Sequence, residues 1–180
     1  MRKFLARIFL DRFSARYDYD MTYMREMLAA SPDAFFRFAN ISSLARHREA
    51  APIGAYFAAK LVGAMVEDCG PCTQLVVAMA REAGVANSDI SAVLEGDMTA
   101  ASESVALGFR FADALTRDAG DLGAARDAVR ARWGEKGVID LTFGAQISRV
   151  FPMVKRGLGH AQTCERVRVG DRAVSLRKIA

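Results

Sequence analysis

The sequence predicts an all-α fold that ends in a short β-hairpin. Three observations carry this. First, 52% of the 180 residues are hydrophobic, led by Ala with Met, Phe and Leu, and only four are Pro; such composition favours packed helices. Second, apolar residues recur at helical spacing through most of the chain. Third, beyond residue 165 the spacing changes to two, around a Gly-Asp pair. With no low-complexity linker and no break in composition, residues 1–180 read as one helical domain, long enough to bury a substantial core.

Residues 3–16 place Phe4, Leu5, Ile8, Phe9 and Phe13 on one helical stripe, with Arg2, Lys3, Arg7, Asp11 and Arg16 largely elsewhere. This predicts an amphipathic helix, its apolar stripe docked on the chain's own core or on a second subunit. A tyrosine-rich segment (Tyr17, Tyr19, Tyr23) leads into a helix around 21–30. Ser31-Pro32-Asp33 marks the next start, with Ser31 as cap and Pro32 at the first helical position. Phe35, Phe36, Phe38, Ile41 and Leu44 supply the core side of that helix. Pro52 opens a helix running Ala55 to about Asp68. Pro71 opens another through Leu75, Val76, Met79 and Ala83, stopped by Gly84. Asn87 or Ser88 caps a short helix over Ile90 to Leu94, stopped by Gly96, and Thr99 caps the run Ala100 to Arg117. Helices near 124–133 and 137–157 complete the set, with Trp133 and Met153 as core residues. In the last segment, about 165–177, Val167 and Val169 alternate with Arg166 and Arg168. Gly170-Asp171 follows, then Ala173, Val174 and Leu176. This is the pattern of a tight hairpin.

The net charge is +4, but 25 basic and 21 acidic side chains are interleaved. Basic residues gather at both ends, and they read as solvated faces rather than as a nucleic-acid or membrane patch. No run reaches the roughly 18 apolar residues of a membrane span. The opening ten residues resemble the start of a signal peptide, yet Arg7 and Asp11 interrupt the apolar stretch and no small-residue cleavage site follows promptly. Three cysteines, one close pair and one apart, are unlike a secreted disulfide framework. These observations together predict a cytoplasmic protein.

The chemistry concentrates at Cys69-Gly70-Pro71-Cys72. Two thiols at this spacing, at the start of a helix, suit a pair that cycles between dithiol and disulfide. Only the thiolate attacks, and unpaired N–H groups at a helix N-terminus favour it. Pro71 stiffens the loop, and Gly70 allows the backbone a tight bend. Cys69 at the cap is expected to feel the helix end most strongly. Glu67 and Asp68 stand beside the pair and act in one of two ways: they oppose thiolate formation, or one of them shuttles a proton. His160, four residues before Cys164, is a third candidate for the proton relay. His160 and Cys164 also make, with Cys69 and Cys72, a candidate three-Cys, one-His zinc set. His47 reads as a surface or cap residue.

Cys-Gly-Pro-Cys also occurs in thioredoxin, where it follows a β-strand; here it follows Ala58 to Val66, which reads as helix. The stretch from Ala58 to Asp97 instead resembles the carboxymuconolactone decarboxylase-like superfamily, in its alkylhydroperoxidase D branch. The matching features are the helix before the thiols, Cys69-x-x-Cys72, the run Ala80-Arg81-Glu82-Ala83-Gly84-Val85, and Ile90 through Glu95-Gly96-Asp97. Phe109-x-Phe111-Ala112-x-Ala114-Leu115 and Gly134 through Phe143 are similar too, so the family-like core covers about 50–160. The resemblance implies an all-helical bundle that assembles as a homo-oligomer. It implies reduction of hydroperoxides, or antioxidant disulfide exchange, driven by an external dithiol reductant or a redox partner protein, with no bound cofactor or metal. It assigns attack to the second cysteine, Cys72, whereas helix electrostatics favour Cys69, so the order of attack stays open. Two relay positions depart from the pattern. A histidine four residues after the second cysteine is here Val76, and a glutamate about twelve residues before the first is replaced by Tyr56-Phe57. A non-catalytic redox-sensing or binding protein on the same scaffold, and a structural zinc-binding protein, are the alternative functions.

Overall fold

Helix α4 (Ile53–Val66) is apolar all round, and every residue from Ala55 to Met65 is buried. A helix with no polar face must be enclosed on all sides, and the remaining elements do this. The computed structural model describes residues 1–117, 120–160 and 166–177. In chain order the other helices are α1 (Arg2–Tyr17), α2 (Thr22–Ala30), α3 (Pro32–Leu44), α5 (Gly70–Glu82), α6 (Asn87–Glu95), α7 (Glu103–Arg117) and α8 (Leu122–Gly157). Strands β1 (Arg166–Val169) and β2 (Arg172–Ser175) pair antiparallel, with Val169 opposite Arg172 across a Gly170-Asp171 turn. Of the described residues, 74% are helical. No helix among the described residues is long and apolar enough to cross a membrane.

Helices α7 and α8 flank α4 at glycine contacts. A Cβ on Gly63 would run into the Ala145 carbonyl of α8, and one on Gly108 of α7 would lie 2.5 Å from the Ala55 carbonyl oxygen. The main core forms around this sandwich, with Leu61, Val62, Val105, Phe111, Val129 and Leu141 among its buried side chains. The loop entering α4 is pinned by a single carboxylate. Asp140 of α8, fully buried, accepts N–H bonds from Glu49, Ala50 and Ala51 at 2.8–3.0 Å. A second core joins α1, α2 and α3 to the start of α5. The hairpin is fastened to α5 by Gln74, which donates to the Arg168 carbonyl (3.0 Å) and accepts from the Arg168 N–H (2.7 Å), as a neighbouring strand would.

Several local expectations need correction. Most of the stripe on α1 does not dock on the chain's own core: Phe4, Leu5 and Phe9 are more than half exposed, while Ala6 and Leu10 are buried and only Phe13 of the stripe packs inward. This helix is apolar on two sides, so the sequence pattern alone picks the wrong one. Gly70 does not make the bend before the thiols. That bend is at Asp68, whose φ is 50°, and Gly70 is already helical. Asp tolerates this left-handed conformation better than most residues. Ala86, not Asn87 or Ser88, precedes α6, and α7 starts at Glu103 rather than Ala100. Thr99 instead bonds Asp97 in a turn, and Asp89 holds Ser102 through its N–H (2.7 Å) and hydroxyl (3.0 Å). The two helices expected near 124–133 and 137–157 join at a break at Gly134 (φ 69°, ψ −172°), a conformation that glycine supplies at low cost. Met153 and Leu44 are exposed rather than core. Ser31 does cap α3, accepting from the Ala34 N–H.

The close approaches at α4 make a sharp prediction. Gly63→Ala and Gly108→Ala each set a Cβ against backbone that cannot yield, and each is expected to destabilise the fold by about 2 kcal/mol or more. Gly123→Ala, whose added Cβ meets nothing within 4 Å, is the control. Thermal unfolding of the three variants checks this; equal melting temperatures would contradict the packing.

Candidate functional site

Helix α4 ends at Glu67, the chain reverses through Asp68, and Cys69 becomes the N-cap of α5. Gly70, Pro71 and Cys72 form the first turn, where Pro71 has no N–H to lose. The Cys69 carbonyl accepts from both the N–H (2.9 Å) and the hydroxyl (3.1 Å) of Thr73. This fixes the cap, and it sets the two Cα atoms 5.2 Å apart with their sulfurs joined in a disulfide. No side chain caps this helix end.

Both cysteines are only 5% exposed. Both belong to the second core, together with Leu10, Tyr19, Met24, Leu28 and Phe35 from the first 44 residues. This roof is tied down at its far side, where the Tyr17 hydroxyl donates to Glu82 at the end of α5 (2.6 Å) and Arg16 pairs with the same carboxylate. Sequence patterns gave these helices no part in the site.

Sequence reasoning missed a group that touches one sulfur, Tyr19, and two that stand beside it, Tyr23 and Lys155. The Tyr19 hydroxyl lies 3.5 Å from Cys72 Sγ, a hydrogen-bonding contact to sulfur. The turn that carries Tyr19 is fixed by Ser14, which donates to the Tyr19 carbonyl (2.8 Å). Burial pushes the Tyr19 hydroxyl up to about 12, with a Tyr23 hydrogen bond opposing and Asp20 adding a smaller push. Burial raises Tyr23 as well. Lys155 of α8 is 1% exposed, and its Nζ has no hydrogen-bond partner among the described residues. It stands 4.9 Å from the Tyr19 ring centre and 5.9 Å from that of Tyr23. Burial lowers its pKa, with Asp20 opposing. The tyrosine-rich segment was the available sequence signal for two of these groups. Lys155 gave none, since Val154-Lys155-Arg156 reads as any helix turn.

The sequence-predicted relay residues occupy other roles. Glu67 is buried and bound by two arginines of α8: Arg149 Nε at 2.8 Å and Arg156 Nη1 at 3.4 Å, with Arg156 also donating to the Glu67 carbonyl. Asp68 is exposed at the bend. His160 bonds Glu26 of α2 through Nε2 at 2.8 Å, at the corner where it and Lys155 both act on Asp20. Cys164 lies outside the described residues, so the four-residue zinc set is not described as a whole. Among the described residues no group of three His, Cys, Asp or Glu side chains is placed to hold a metal ion. Val76 packs into the main core, and the Tyr56 hydroxyl donates to the Ala45 carbonyl at 2.6 Å. His47 is half-buried beside Glu49 and Asp140. A groove of about 590 Å³ between α6 and the hairpin, bordered by Arg81, Glu95 and Arg172, contains neither sulfur.

Set against known proteins, the chain matches no family model, no curated protein and no solved structure.

A second buried lysine makes the pH dependence testable. Lys60 of α4 donates to the Ala45 carbonyl (3.0 Å), and burial lowers its pKa to about 8. Between that value and the ordinary 10.5, the unfolded chain binds more protons than the folded one. Stability therefore rises with pH through this window. Above about 10 the sign reverses, because Tyr19, Tyr23 and Tyr56 all hold their protons longer folded than unfolded. Urea unfolding at several pH values is expected to show a rise between about 8 and 10, and Lys60→Met is expected to flatten it. A rise of unchanged size in Lys60→Met would contradict the assignment.

Proposed function

We propose that this chain is a thiol-dependent oxidoreductase that reduces hydroperoxides through the Cys69–Cys72 pair, on a helical bundle of the alkylhydroperoxidase D type. The observation that carries the reading is the closed disulfide at the start of α5, under an apolar roof. In the reduced state one sulfur attacks the peroxide as thiolate. The O–O bond breaks, the alcohol leaves with a proton, and the sulfur keeps an oxygen as sulfenic acid. The other thiol then displaces that oxygen as water and closes the disulfide. An external dithiol, oxidised in its turn, restores both thiols.

Burial of both sulfurs favours a small hydroperoxide over a protein disulfide as the oxidant, because a protein substrate must bring its own sulfur into contact. Assembly into a homo-oligomer belongs to the same reading, supported by the outward Phe4, Leu5 and Phe9 of α1. A cytoplasmic location also belongs to it, since a reducing compartment supplies the dithiol. The competing reading is a redox sensor that closes and opens the pair without turnover. It is favoured by Val76 and by Tyr56-Phe57, which place no proton carrier where the resembling family has one.

Hydroperoxide consumption with dithiothreitol as reductant distinguishes these. The wild-type chain is expected to turn over, and Cys69→Ser and Cys72→Ser are each expected to fall to the uncatalysed background. Equal rates in all three would overturn peroxide reduction. A disulfide that forms reversibly without turnover would leave the sensor.

A further inference from the structure

Lys155 is the one buried charge-bearing group of this corner whose polar atom has no partner among the described residues. An amine taken from water without a hydrogen-bond partner is costly, and in the oxidised chain it gains only the ring faces of Tyr19 and Tyr23. The ring nearer to it is the one whose hydroxyl touches Cys72 Sγ. The disulfide carries no charge. Reduction can place one there.

We propose that Tyr19 and Lys155 form a built acceptor site for the Cys72 thiolate, which makes Cys72 the attacking sulfur. This rests on the redox reading of the pair. The external dithiol gives up two electrons and two protons, and the S–S bond breaks. One proton goes to Cys69 Sγ. The other is released to solvent, so Cys72 is left as a thiolate with the Tyr19 O–H donating to it and the Lys155 ammonium against the Tyr19 ring. In the oxidising half the thiolate attacks the peroxide, the O–O bond breaks, and the leaving alkoxide takes a proton from water. Tyr19 touches the reacting sulfur. Lys155 acts through it and is a positioning residue.

The surrounding charges leave this role to Lys155. On the segment facing it, Asp20 is exposed and bonded by the N–H (2.9 Å) and hydroxyl (2.5 Å) of Thr22. Tyr19 and Tyr23 remain protonated, because burial raises both. On its own helix, Arg149 and Arg156 are engaged by Glu67. Beyond the helix, His160 is engaged by Glu26. Among the described residues no hydroxyl hydrogen-bonds to the Cys69 sulfur at the helix cap, whereas Cys72 has Tyr19.

The test is the ultraviolet thiolate absorbance of the full chain against pH, a readout that needs no reagent to reach the buried sulfur. A Cys69→Ser/Cys164→Ser background isolates Cys72, and Cys72→Ser/Cys164→Ser isolates Cys69. Cys72 is expected to ionise below the ordinary value of about 8.5, and below Cys69. Lys155→Met, which replaces a buried amine by an apolar chain of similar length, is expected to raise the Cys72 midpoint by about one pH unit or more. That is roughly tenfold less thiolate near neutral pH. Tyr19→Phe is expected to raise it by a smaller factor, about threefold, and it serves equally should Lys155→Met fail to fold. Lys155→Arg is expected to retain most of the effect. A Cys72 midpoint unmoved by Lys155→Met, or by Tyr19→Phe where only that variant folds, overturns the proposal; so does a Cys69 that ionises first. Failure of the wild-type pair to close under hydroperoxide overturns the redox reading instead, and the two failures are read in separate experiments.

Discussion

Everything near the sulfurs depends on the enclosure of α4. Its burial from Ala55 to Met65 leaves it no free face to turn, and the contacts at Gly63 and Gly108 bring two neighbours to backbone distance. Rotation of this helix by even a fraction of a turn would drive side chains into carbonyl groups. Its C-terminal end is therefore a fixed point. Glu67, clamped by Arg149 and Arg156, fixes the exit, and the left-handed Asp68 redirects the chain into α5. Cys69 and Cys72 take the placement of their backbone from this sequence of constraints.

The second constraint is the roof. The first 44 residues form a separate apolar cluster together with Cys69 and Cys72, so the cysteine pair lies among packed side chains rather than in an open cleft. Water is largely excluded there, and charges act more strongly on one another than they would at the surface. A buried hydroxyl, modest in water, becomes a larger influence on a sulfur 3.5 Å away. Among the described residues the Lys155 Nζ has no hydrogen-bond partner, and the disulfide near its ring contact carries no charge.

How much of this was legible in the letters depends on the kind of signal. Ser31-Pro32, Pro52, Pro71 and Gly170-Asp171 fixed element boundaries because their backbone preferences are local. The break near Gly134 was visible for the same reason. Cys69 and Cys72 were legible as a pair because their spacing alone sets their reach. The docked face of α1 was not, because Phe4, Leu5 and Phe9 on one side compete with Ala6, Leu10, Phe13 and Tyr17 on the other, and tertiary contacts decide between them. Asp68 took the bend expected of Gly70, since the choice between neighbouring positions depends on how α4 exits. Glu67 looked like a free carboxylate because its arginines are more than 80 residues away. Lys155 and Tyr19 meet across 136 residues, arithmetic that no pattern of spacing reveals (155 − 19).

The central claim is that one sulfur–sulfur bond opens and closes under a fixed helical frame. Its most direct measurement is an equilibrium titration of the purified chain in buffers of graded dithiol-to-disulfide ratio, quenched by acid and read by intact mass. The account predicts a single reversible transition in which the Cys69–Cys72 segment gains two hydrogens, with the helical circular dichroism unchanged across it. A pair that never joins, a bond that no dithiol can open, or helices that melt as it opens would contradict the account.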